Sequence, residues 1–94
     1  MTIKEVCEKV ETFNEVRRAI GIREVCVTLS IDDEDVAEEC TGFGPLDVLF
    51  NEACRKDFVE ECYKVDLKKT YSFTMGAYLY FHGHSHKIAL FIDF

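Results

Sequence analysis

The chain predicts an α+β fold, a two-layer sandwich with elements in the order α-β-α-α-β-β. A three-stranded sheet with a C-terminal β-hairpin carries the helices on one face. Three patterns predict this. Residues 3–20 repeat apolar side chains at helical spacing behind a capping box. Residues 23–31 alternate in strand fashion. Residues 71–94 alternate twice around a glycine, the pattern of a hairpin.

The first helix is predicted over 3–20. Thr2 and Glu5 stand at N-cap and third-position spacing, where each can satisfy a free backbone N–H. Ile3, Val6, Cys7, Val10, Phe13, Val16 and Ile20 supply the apolar positions. Arg17 and Arg18 suit the negative end of the helix dipole. Gly21 fits a left-handed C-cap, with Ile22 beyond it.

The strand at 23–31 points Val25, Val27, Leu29 and Ile31 one way and Cys26, Thr28 and Ser30 the other. Asp32 or Asp33 is then expected to cap a short helix through Cys40, with acids crowded where the dipole favours them. Thr41 to Gly44 reads as a loop. Pro45 suits the first position of a further helix running to about Tyr63. The connection from the first strand to the hairpin is long enough for a right-handed parallel crossover, which would make the sheet mixed.

In the hairpin, Tyr71, Phe73, Met75, Ala77, Leu79 and Phe81 share a face with Ile88, Leu90, Ile92 and Phe94. A two-residue Gly83-His84 turn of type II′ pairs Leu79 with Ile88 and Met75 with Ile92. A four-residue loop from Gly83 to His86 keeps the same faces together. The opposite face gathers Tyr78, Tyr80 and Phe91, with Gly76 across from Phe91. That cluster reads as a contact surface for a partner or a second copy of the chain.

Composition narrows the class. Ninety-four residues make one domain, 1–94. No apolar run approaches the roughly 20 residues of a membrane span. The opening Met1-Thr2-Ile3-Lys4-Glu5-Val6 is charged, unlike a secretion signal. Five cysteines, an odd number without Cys-x-x-Cys, fit reduced thiols in a cytoplasmic protein better than a disulfide framework.

The net charge of −7 is concentrated. Residues 23–40 hold seven acids against Arg23 alone. The run Asp32, Asp33, Glu34 and Asp35 is therefore a candidate docking surface for a basic partner. With no basic stripe to neutralise phosphates, direct nucleic-acid binding is disfavoured.

His82, His84 and His86 form the second constellation. In one strand, His-x-His-x-His would aim three imidazoles to one side and could hold zinc, copper or nickel. Gly83 and Ser85 place them in a turn instead, and no acid is close in sequence to orient a ring. No cysteine sits in a nucleophile elbow. Thr41-Gly42-Phe43-Gly44-Pro45 lacks the Gly-Lys-Ser/Thr of a phosphate loop and follows an acidic stretch that would repel phosphate.

The segments Ile3–Asn14 and Asn51–Cys62 resemble those of small uncharacterised proteins carried by phages and mobile elements of Gram-positive gut bacteria. The resemblance covers about a quarter of the chain and implies a short accessory protein. It assigns no functional residue. The sequence thus points to a small acidic, cytoplasmic, non-enzymatic protein without a cofactor. Its expected activity is binding another protein through Asp32, Asp33, Glu34, Asp35, Tyr78, Tyr80 and Phe91. A homodimer is a second possibility for the partner. Inhibition of a basic or nucleic-acid-binding partner is one form of that activity. The alternative is a metal-binding module built on the histidine turn.

Overall fold

The structure is a computed structural model that describes residues 1–39 and 56–94. The expected loop at 41–44 and the helix start at Pro45 lie outside these residues. The order is α1 (Ile3–Ala19), β1 (Cys26–Ile31), β2 (Glu34–Glu39), α2 (Lys56–Lys64), β3 (Lys68–Tyr71), β4 (Thr74–Phe81) and β5 (His84–Asp93). The strands form one sheet in the order β2-β1-β5-β4-β3, with every neighbouring pair antiparallel. The fold is α+β as expected, but the sheet has five strands rather than three, and none of its pairs is parallel.

Helix α1 follows its signals closely. Thr2 Oγ1 accepts a hydrogen bond from the Glu5 N–H at 3.3 Å. Gly21 adopts φ 74°, and Ile22 N–H donates to Arg17 O while Gly21 N–H donates to Arg18 O. Those two bonds make a Schellman end. Only Ile3, Val6, Cys7, Val10 and Asn14 are buried. Phe13, Val16 and Ile20, expected on the core stripe, are exposed. At 100° per residue they fall roughly a third of a turn from the buried stripe.

Where a helix is expected over 32–40, Glu34–Glu39 is a strand. Asp32 and Asp33 have φ 52° and 67° and form a two-residue turn of the I′ class, from which β2 returns along β1. Aspartate tolerates this left-handed geometry. Good helix formers such as Ala37 and Glu38 are overridden by pairing with β1.

The β4–β5 turn is also of the I′ class. It is made by His82 (φ 48°) and Gly83 (φ 82°), so the register sits two residues from the expected one. Leu79 pairs with His86, Ala77 with Ile88 and Met75 with Leu90. The shift is even, so each side chain keeps its expected face. Tyr71 and Phe73 leave the expected long strand. A turn at Ser72 and Phe73 splits off β3, and Phe73 O accepts from Ile92 N–H at 2.8 Å.

The core lies between the helices and one sheet face. Ile3, Val6 and Val10 of α1 meet Phe58 and Cys62 of α2 over Val27, Leu29, Ile88 and Leu90. Each such aliphatic side chain contributes about 1.5–3 kcal/mol by leaving water. Asn14 and Ser30 are the buried polar residues among those described, and Asn14 ties the helix to the sheet. The Asn14 side chain donates to Val25 O at 3.0 Å and accepts from Val25 N–H at 2.7 Å, closing α1 onto the residue before β1.

Cys7 and Cys62 are buried. Cys26 is disulfide-bonded, which departs from the expectation of reduced thiols. Among the described residues, no helix is long and apolar enough to cross a membrane.

Candidate protein-binding surface

The outer sheet face, opposite the helices, is built by strand alternation. Tyr78 and Tyr80 on β4 stand beside Lys87 and Ser85 on β5, while Phe91 stands between Thr74 and Thr28. Tyr71, at the end of β3, pairs with Thr74 and joins the same face. All four aromatic side chains are exposed, Tyr71, Tyr78 and Tyr80 to between 73% and 78% and Phe91 to 42%. The sequence places Tyr78, Tyr80 and Phe91 together, and the structure does too. Sequence alternation puts Tyr71 on the opposite face, but the turn that reverses β3 breaks the alternation there.

Gly76 lies opposite Ala89, not Phe91 as expected, and Lys68 lies on its other side. Gly76 and Ala89 floor a groove of about 770 Å³ lined by Lys68, Tyr71, Tyr78, Lys87 and Phe91. A Cβ at Gly76 would stand 3.3 Å from Ile88 O and 3.5 Å from Thr70 Cγ2. Glycine keeps the floor flat where backbone and neighbour already crowd it.

Asp32, Asp33, Glu34 and Asp35 are all exposed, and the first two also engage β5. Asp32 Oδ1 accepts from Lys87 N–H at 3.0 Å, and its Oδ2 lies 2.8 Å from His86 Nδ1. Asp32 N–H donates to Lys87 O. The His86 contact foremost, and then the Lys87 N–H, hold the Asp32 carboxyl below the usual carboxylate range. Asp33 pairs with Lys87 Nζ at 3.1 Å, which raises the lysine, with Tyr78 and Tyr71 adding to the shift. Glu34 and Asp35, the other two of the expected four, are exposed as well.

Lys87 is therefore the hinge of the site. It pairs with the acidic turn and stands beside Tyr78 on the aromatic face. The sequence keeps these two surfaces 43 positions apart, from Asp35 to Tyr78, whereas β1 joins them by pairing with both β2 and β5.

The histidines separate. His82 is in the turn and exposed, His84 is exposed opposite Phe81, and His86 is half-buried against Phe58, with ring centroids 4.9 Å apart. Asp32 orients the His86 ring, a role for which sequence proximity offered no acid. Among the described residues, no group of three His, Cys, Asp or Glu side chains is placed to hold a metal ion.

No protein-family model matches the chain, and neither a curated protein nor a solved structure is detectably similar to it.

Proposed function

We propose that the protein acts by binding another protein through its outer sheet face. The observation that carries this reading is the exposure of Tyr71, Tyr78, Tyr80 and Phe91 around one groove. Tyrosine supplies large contact area at small entropic cost and is frequent among residues that dominate binding energy. An aromatic cluster of this kind is more than the scattered apolar exposure of ordinary surfaces.

On β2, beyond β1 and β5 from the tyrosine strand, Asp35 faces the same way as the tyrosines and Glu34 adds its charge at the same edge. A partner with a basic rim around an apolar contact fits both parts, and an inhibitor of a nucleic-acid-binding protein is the specific form we favour.

The test is affinity capture from lysate of the source cells, quantified for wild type, Tyr78→Ser/Tyr80→Ser and Glu34→Gln/Asp35→Asn. The tyrosine variant should lose a specific partner by about tenfold or more. The acidic variant should lose it mainly by slower association, most visibly at low salt. Equal recovery by all three proteins removes the proposal.

A further inference from the structure

The two outermost strands of the sheet carry opposite charge. β2 reads Glu-Asp-Val-Ala-Glu-Glu, with four acids and no base. β3 reads Lys-Lys-Thr-Tyr, with two bases and no acid, and all four residues are exposed. Among the described residues, β2 and β3 each have a strand neighbour on one side only, which leaves one row of backbone N–H and C=O groups facing outward.

The β3 side already takes an extended partner just upstream. Leu67 N–H donates to Met1 O at 2.8 Å, and the Met1 ammonium donates to Leu67 O at 3.3 Å. Two residues on, Lys69 turns its backbone groups in the same direction. Among the described residues, neither Lys68 nor Lys69 makes an ion pair.

Each edge carries its charge on both faces. Lys68 is opposite Gly76, on the outer face, and Lys69 is opposite Met75, on the helix face. On β2, Asp35 is opposite Ser30, on the outer face, and Glu34 is opposite Ile31, on the helix face. In a sheet of five antiparallel strands the first and last run in the same direction. A copy displaced sideways across the sheet therefore brings its β2 alongside β3, with the helices of both copies on one side.

We propose that β3 accepts the β2 edge of a second copy, so that the protein self-associates head to tail. Of the three ways two such edges can meet, β2 with β2 and β3 with β3 oppose like charges, and only β2 with β3 opposes unlike ones. The charged residues that guard edges against indiscriminate pairing here leave one pairing open. The contact joins two different surfaces, so it adds copies in a line unless the rotation closes a ring. The contact shares Lys68, Glu34 and Asp35 with the surface proposed above but not Tyr78 or Tyr80, so the tyrosine variant separates the two readings.

Sedimentation over a concentration series, at low and high salt, tests this with an edge charge swap. Wild type should self-associate, and more weakly as salt rises. Lys68→Glu/Lys69→Glu and Glu34→Lys/Asp35→Lys should each weaken association by about tenfold or more. An equimolar mixture of the two variants should associate again, because acidic and basic edges then meet between them. Recovery in the mixture also shows that both variants are folded. Three results overturn the proposal. One is a monomeric wild type at low salt. Another is a mixture that stays monomeric. The third is association abolished by Tyr78→Ser/Tyr80→Ser but untouched by the edge variants.

Discussion

Asp32 engages both carboxylate oxygens, one with the Lys87 N–H and the other with His86 Nδ1. Its lowered pKa means that the native state holds the ionised form better than the unfolded chain does. The stabilisation is therefore present above the unfolded carboxyl pKa, near 4, and is lost as pH falls through the lower native value. Asp32→Asn should melt at a lower temperature than wild type at neutral pH. The difference should shrink in an acid titration of thermal stability followed by circular dichroism. Asn14 offers a test free of charge. Asn14→Ala leaves the buried Val25 N–H and C=O without their side-chain partner and should cost roughly 2–4 kcal/mol in urea unfolding. Neither contact is legible in the sequence, since each joins residues distant along the chain.

Elements written in local chemistry were legible, and those settled by pairing were not. The ends of α1 follow from Thr2, Glu5 and Gly21, whose effects reach only a few residues. The strand β2 was hidden because Glu, Ala and Glu are good helix formers, while its pairing depends on β1. In the β4–β5 hairpin, alternation set the faces, but an even shift leaves that alternation unchanged. The turn residues decided the register instead. Gly83 has φ 82° and open space where a Cβ would stand, whereas Gly76 is crowded by Ile88 O. Gly83→Ala should cost about 1–2 kcal/mol through the left-handed backbone alone. A second variant, His82→Asn, makes the favoured Asn-Gly turn and should raise stability modestly. Chemical denaturation checks both variants, and the His82→Asn gain separates this turn from the expected Gly83-His84 turn, which also needs positive φ at Gly83.

At the scale of the molecule, one sheet face is closed by helices and the other displays aromatics. The core was legible in kind, because Val27, Leu29, Ile88 and Leu90 alternate as buried strands should. Leu90→Ala should destabilise by about 2–5 kcal/mol. The binding surface was legible in part. Tyr78, Tyr80 and Phe91 follow from the face of the hairpin, while Tyr71, Lys68 and the Lys87 link to Asp33 follow from strand order. Site and core thus answer to different substitutions, and the outer tyrosines should be replaceable with little effect on folding. The central claim, that the outer face is where a partner binds, is tested most directly by tyrosine-selective chemical footprinting. The measurement compares the purified protein with the complex recovered from source-cell lysate. Tyr71, Tyr78 and Tyr80 should lose reactivity several-fold in the complex, while half-buried Tyr63 on the helix side keeps its rate. Unchanged reactivity of the three outer tyrosines in a complex that contains the protein would contradict the account.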